Sequence, residues 1–276
     1  MKYIFFGSPE FAEIILKHLI NAELPPVAII CNPDRPVGRD KVMTAPFTKQ
    51  LVSARKQIEV FQPTDTAELK AISSKLKALK PDFAIVAAYA KIIPADILAI
   101  PRLGTIGVHP SLLPKYRGAS PIQSVLLAGE TETGVTLYQM DAKMDHGPML
   151  SQRNIAIKDG IGHLKLEQEL ADLSSEMLIK LFPDILAGKI KPVEQIHADA
   201  TFTKKFVTED GAVDMVKDSP ETIYRKIKAL NPDPGAYTLN FPGREGVRVK
   251  LLDARLNEGV LKVTEIHPAG KKPIRL

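Results

Sequence analysis

Gly104-Thr105-Ile106-Gly107-Val108-His109-Pro110-Ser111-Leu112-Leu113-Pro114-Lys115-Tyr116-Arg117-Gly118 is the stretch on which the fold turns. Thr105 to Val108 reads as a buried strand. A histidine follows at its C-terminal end, and Pro110 breaks the strand. The loop after it is closed by Pro114 and Gly118. Ser120-Pro121 then opens a helix, with serine as cap and proline at the first helical position. Ligands of open α/β sheets bind outside the C-terminal ends of the strands. A titratable side chain at such an end, beside a rigid loop, marks a candidate site. A lone histidine serves equally well as an acid–base group or as a packed amphipath.

The flanking segments repeat the strand–loop–helix pattern. Lys2 to Phe6 reads as a strand, and Ser8-Pro9 opens a helix to about Ile20, with Phe11, Ile14, Ile15 and Leu19 on one face. No G-x-G-x-x-G or phosphate-loop signature follows the first strand, which argues against a dinucleotide site. Val27 to Cys31 and Phe83 to Ala87 read as further strands. Asp65-x-x-Glu68 reads as a capping box. This alternation through about residue 130 predicts an α/β fold, a mostly parallel sheet with helices on both faces. Val135 to Met140 and Met149 to Ile157 extend the strands, and a long helix follows over Gly162 to Phe182. Lys191 to Thr203 has weak periodicity. The expected organisation is a first domain over 1–190, a linker over 191–205 and a second domain over 206–276.

The chain has 276 residues, a net charge of +5 and one cysteine, Cys31, which excludes an intrachain disulfide. The surplus of positive charge is concentrated late. Fourteen basic and ten acidic residues lie from position 200 onward. That distribution suits a nucleic-acid surface in the second domain. No apolar run approaches a membrane span, and the first residues are too short an apolar run for a signal peptide. A cytoplasmic monomer is expected. The segment from Asn32 to Lys49 is longer than an ordinary βα connection, and its Pro33-Asp34-Arg35-Pro36-Val37-Gly38-Arg39-Asp40-Lys41 presents cations among proline and glycine. Asp141-Ala142-Lys143-Met144-Asp145-His146-Gly147-Pro148 holds two acids and one histidine without metal-ligand spacing, so no metal is expected.

Two motifs carry a resemblance. VHPSLLPKYRGASPIQ from Val108, with MDAKMDHGPML from Met140, resembles the folate-dependent formyltransferases, and among them the methionyl-tRNA formyltransferase family. That family has a strand-end Asn-x-His, then Ser-Leu-Leu-Pro, and a distal aspartate. Here the histidine is His109, the distal aspartate is Asp145, and Gly107 stands at the asparagine position. The resemblance implies a Rossmann-like, mostly parallel sheet as the formyltransferase core, with a small, shortened β-barrel-like (OB-like) C-terminal domain that contacts tRNA. It implies formyl transfer from 10-formyltetrahydrofolate to the amino group of methionyl-initiator tRNA, for translation initiation. His109, Asp145 and the Gly107 position would be catalytic. Ser111, Leu112, Leu113, Pro114, Tyr89, Ala90, Lys91, Ile92 and Asp141 would line the folate. Phe11 would meet the methionine side chain, or else be a core phenylalanine. Arg35, Arg39 and Lys41 would contact the tRNA.

Formyl transfer needs donors for an oxyanion and a base for an ammonium proton. In this scheme His109 donates, while Asp145 orients it and receives the proton. The donor absent at Gly107 is expected to be replaced by a water, or by an amide turned by glycine's freedom. Two alternatives stay open: a sugar-nucleotide N-formyltransferase with the same core, and a non-catalytic protein that holds folate or tRNA.

Overall fold

The computed structural model describes residues 1–38 and 40–276; Arg39 lies outside the described residues. In chain order the first elements are β1 (Tyr3–Phe6), α1 (Glu10–Asn21), β2 (Ala28–Ile30), β3 (Arg35–Val37) and β4 (Val42–Thr44). Next come α2 (Phe47–Val52), β5 (Glu59–Phe61), α3 (Thr66–Ala71), α4 (Ser73–Ala78), β6 (Phe83–Ala87) and α5 (Ala95–Leu98). Then follow β7 (Thr105–His109), β8 (Arg117–Gly118), α6 (Pro121–Ala128), β9 (Glu132–Gln139), β10 (Met149–Ala156) and α7 (His163–Leu186).

A seven-stranded sheet has the order β10-β9-β7-β6-β1-β2-β5. Strands β5, β2, β1, β6 and β7 are parallel neighbours, and β9 runs antiparallel to β7. The central strands are apolar on both faces, as helix-covered parallel strands must be. Every residue of β1, β2, β6 and β7 is buried. Tyr3 stacks on Phe83 at 5.5 Å, extending this core across neighbouring strands. The Rossmann-like, mostly parallel core expected from the sequence is what the chain forms, with β9 as its antiparallel exception.

Two local details differ from the sequence reading. Ser8 does not cap α1; its hydroxyl accepts from the Asn32 amide at 2.8 Å and ties the end of β1 to the end of β2. The 32–49 segment is not an open loop, because β3 and β4 pair as an antiparallel hairpin. Both oxygens of Asp34 accept from Lys49 at 2.8 Å, and Gln62 donates to one of them, which anchors the hairpin's base. Pro36 is tolerated there because a two-stranded ribbon leaves an edge without ladder bonds.

The chain divides into two compact units, neither continuous in sequence. One comprises Met1–Arg117, Gly134–Asn154 and Gln168–Ala200; the other comprises Gly118–Thr133, Ile155–Glu167 and Thr201–Leu276. Residues 191–200, expected as linker, therefore belong to the first unit. Val193 exchanges both backbone hydrogen bonds with Met149 there, at 2.7 and 2.8 Å.

The second unit continues with β11 (Phe202–Thr203), α8 (Pro220–Leu230), β12 (Tyr237–Thr238), β13 (Val249–Asn257), β14 (Val260–Pro268) and β15 (Ile274–Arg275). Ser219 caps α8 by accepting from the Thr222 amide. The last four strands form an antiparallel sheet in sequence order, so the barrel-like domain of the sequence reading is a short four-stranded sheet. Ile223 and Ile227 of α8 pack with Val249, Leu251 and Ile266 to make its core.

Burial pushes the His163 imidazole down to about 4, against a smaller upward pull from Asp233. Below pH 6.5 the unfolded imidazole takes up a proton, and the folded one does not until about pH 4. Stability is therefore expected to fall as pH drops through that window, by up to about 3 kcal/mol. Urea unfolding at pH 7 and pH 4.5 checks this, because His163→Leu should lose the part of the pH dependence that His163 carries. An unchanged pH dependence in that variant would contradict the assignment.

Candidate active site

His109 ends β7 and is 5% exposed. Its Nε2 lies 2.8 Å from the Tyr116 carbonyl, which can only accept, so Nε2 carries the hydrogen. Its Nδ1 faces Asp145 Oδ2 at 3.6 Å, an ion-pair separation rather than a hydrogen bond. The structure thus brings together two residues 36 positions apart in sequence. Antiparallel pairing sets Gln139, the last residue of β9, opposite Ile106 near the start of β7, so the loop after β9 folds back for Asp145 to reach His109 at the other end of that strand.

Both partners sit on strained backbone. Tyr116 has φ of 60° and Asp145 of 49°, in the left-handed region that side chains disfavour. Ala88, at the end of β6, has φ of 48°. Such residues persist where surrounding bonds over-determine them. At Asp145 the restraint is Gln195, buried in the segment expected as linker. Its Nε2 donates to the carbonyls of Asp145 at 3.0 Å and Gly147 at 2.7 Å, and its Oε1 accepts from the buried Arg117 at 2.6 Å. Gly147 allows the loop to lie against β9: a Cβ there would meet the Gln139 carbonyl oxygen at 1.8 Å.

Gly107 has an ordinary strand conformation and pairs directly with Tyr138 across β7 and β9. A Cβ at 107 would lie 2.3 Å from Tyr138 Cε1 and 2.7 Å from its hydroxyl oxygen. Glycine is required here for space, not for backbone freedom, so the reoriented amide of the sequence reading does not arise. The Tyr138 hydroxyl donates to Asp145 Oδ1 at 2.7 Å.

The 111–115 loop is held from within and from neighbouring strands. Ser111 is fully buried, and its hydroxyl donates to the Lys115 carbonyl at 2.7 Å. Thr136 Oγ1 donates to the Ser111 carbonyl and accepts from the Leu113 amide. Gln152 donates to both Thr136 and the Leu113 carbonyl. Ser111 and Leu113 therefore build the loop, whereas Leu112 and Pro114 are half-buried on its surface.

Beyond β6, Tyr89 points into the core, edge-on to Phe6 at 5.4 Å, with its buried hydroxyl lacking a hydrogen-bond partner. Burial pushes that phenol up to about 12. Ala90 is exposed, Lys91 donates to the Pro63 carbonyl, and Ile92 is 82% exposed. Asp141 is engaged within its own loop: one oxygen accepts from the Lys143 amide, and the other pairs with His146 Nδ1 at 2.7 Å. His146 stacks on His197 at 4.0 Å, and Arg117 lies 3.0 Å from His197 Nδ1.

Phe11 is buried on α1, the core position rather than an open surface. Arg35 and Lys41 are exposed on the β3–β4 hairpin, together with Val37, Val42 and Met43. Sequence reasoning missed Tyr138, Gln195, Arg117, His146 and His197. Among the described residues no group of His, Cys, Asp and Glu could hold a metal ion, and no helix is long and apolar enough to cross a membrane.

Known proteins resemble this chain. The family model described as formyl transferase matches residues 1–182, and that described as formyl transferase, C-terminal domain, matches residues 205–260. The methionyl-tRNA formyltransferase of Methylococcus capsulatus is 36% identical over 293 residues, covering 99% of this chain and 94% of that one. The protein of the same name from Thermotoga maritima is 40% identical over 273 residues, covering 99% and 82%. In fold alone, the N-formyltransferase from Helicobacter canadensis, solved with folinic acid and dTDP-3-aminofucose, aligns with a TM-score of 0.68 at 17% identity, covering 93% of this chain and 88% of that one. On full-length likeness at these identities, the chain belongs to the methionyl-tRNA formyltransferase family.

Proposed function

We propose that the chain transfers the formyl group of 10-formyltetrahydrofolate to the amino group of methionyl-initiator tRNA, in the cytoplasm, for translation initiation. The observation that carries the chemistry is the His109–Asp145 pair at the sheet's C-terminal edge. The acceptor is supported by 36–40% identity to methionyl-tRNA formyltransferases over nearly the whole chain.

The residues present fit a folate donor. Its flat ring needs backbone groups and small side chains at a strand end. Exposed Ala88 and Ala90 follow β6, with Ile92 and half-buried Leu112 as apolar surface. The donor supplies an activated formyl carbon, and the chain's side chains do the rest. As the amine attacks, the formyl oxygen gains negative charge, and His109 Nε2–H answers it by exchanging the Tyr116 carbonyl for that oxygen. Asp145 takes the ammonium proton, directly or through a water. The proton that Asp145 holds would pass to the donor's leaving nitrogen as its bond to the formyl carbon breaks, which returns Asp145 to a carboxylate.

The β3–β4 hairpin supports the tRNA reading. Lys49 is neutralised by Asp34 at the hairpin's base, while Arg35 and Lys41 face solvent. The second unit adds a cleft of about 510 Å³ whose lining includes Lys165 and Lys250. Cations so placed bind phosphates without reading bases. Arg35→Glu with Lys41→Glu is expected to raise KM for charged tRNA roughly tenfold at 0.1 M salt and to flatten its salt dependence, with KM for the folate unchanged. An unchanged KM for tRNA would shift the reading to a sugar-nucleotide acceptor.

A further inference from the structure

Gln195, Tyr138 and His109 are among the partners of Asp145. Its backbone carbonyl is tied to Gln195. One carboxylate oxygen accepts from the Tyr138 hydroxyl at 2.7 Å, and the other faces His109 Nδ1 at 3.6 Å. A carboxylate on a loop can exchange between χ1 wells and turn through a broad χ2 range unless one oxygen is fixed. Tyr138 is well suited to fix it. Its ring is 3% exposed, lies on a strand, and is seated across Gly107 on the neighbouring strand. The Tyr138 hydroxyl thus couples the orientation of Asp145 towards His109 to the rigid sheet. Resting on the formyl-transfer reading above, we propose that Tyr138 is a positioning residue for the reaction, its hydroxyl holding one oxygen of Asp145 so that the other faces His109.

Burial, with the neighbouring Asp145 charge, pushes the Tyr138 phenol well above its ordinary value. The hydroxyl therefore keeps its proton and acts as a donor, not as a base. The competing role is packing alone, in which the ring merely covers a glycine, as aromatics on facing strands often do. Ring and hydroxyl are separable. Tyr138→Phe keeps the packing and removes the donor.

The test is a cycle of Tyr138→Phe, Asp145→Asn and the double variant, with kcat, both KM values and thermal midpoints measured for each. Tyr138→Phe is expected to lower kcat roughly tenfold to hundredfold, the range for a hydrogen bond to a charged group, with KM values within about twofold. Its midpoint should stay within about 3 °C of the parent. In the Asp145→Asn background the same change should cost less than about twofold, because Tyr138 acts through Asp145. Unchanged kcat in Tyr138→Phe overturns the proposal, as does an equal loss in both backgrounds or a collapsed midpoint. The ring nitrogens of His109, followed by NMR in parent and Tyr138→Phe, give a readout independent of turnover: a moved Nδ1 resonance supports the proposal, and an unmoved one overturns it. A parent chain without turnover overturns the formyl-transfer reading instead, and the NMR result then decides the role of Tyr138 by itself.

Discussion

His109→Ala is expected to lower kcat/KM for formyl transfer by about 10³, with folding intact. The imidazole is wedged between two acceptors, the Tyr116 carbonyl at 2.8 Å and the Asp145 carboxylate at 3.6 Å. Alanine removes the donor that meets the developing oxyanion, a loss typically of 10²–10³ in kcat. It also leaves Asp145 without the imidazole that it faces at 3.6 Å, which adds to the loss. The strand itself should survive, because β7 is held by backbone pairing to β6 and β9 and by its apolar residues. The Tyr116 carbonyl loses its side-chain partner in the variant, so some loss of stability is expected as well. Steady-state kinetics with a thermal melt separates the two effects. A kcat/KM within tenfold of the parent would remove His109 from the chemistry.

Gly107→Ala is the second large effect, and its cause is steric. The added methyl would sit 2.3 to 2.7 Å from two ring carbons and the hydroxyl oxygen of Tyr138. A buried ring has nowhere to retreat without leaving Asp145, so the variant should break the hydroxyl–carboxylate bond as well as strain the core. Overpacking of this kind costs about 1–3 kcal/mol of stability. The loss of alignment is expected to lower kcat by about 10². Gly107→Asn should be no better, since its side chain needs the same space. That expectation reverses the simplest inference from sequence, in which an asparagine at 107 would restore a missing donor. Kinetics and melts of both variants decide it: an asparagine variant more active than the parent would show that the ring yields easily and that space is not what requires glycine at 107.

Much of the fold was legible in the sequence because its signals are local. The apolar runs at Tyr3–Phe6, Phe83–Ala87 and Thr105–Val108 are buried strands, and the Ser219-Pro220 pair starts a helix as its cap chemistry dictates. The candidate pair His109 and Asp145 was singled out through motif resemblance, but its separation was not legible, since it depends on how the loop after β9 folds back towards the end of β7. What stayed hidden was non-local. Tyr138 reads as one more residue in a strand until the register places it opposite Gly107. Gln195 lies in a polar stretch with no periodicity, and only its bonds to Asp145, Gly147 and Arg117 reveal a buried strut. The β3–β4 hairpin was masked by its proline and glycine, which read as loop. Ser8 had the right residue type for a cap and found a better-placed partner in the Asn32 amide.

The acceptor and the residue that serves it together define the reaction. The most direct measurement is formylation from 10-formyltetrahydrofolate, run side by side on charged initiator tRNA, free methionine and an amino-sugar nucleotide, with the parent chain and His109→Ala. Product on the tRNA alone, lost in His109→Ala, is the predicted result. Product on the amino sugar, or folate and tRNA binding with no product on any acceptor, would contradict it.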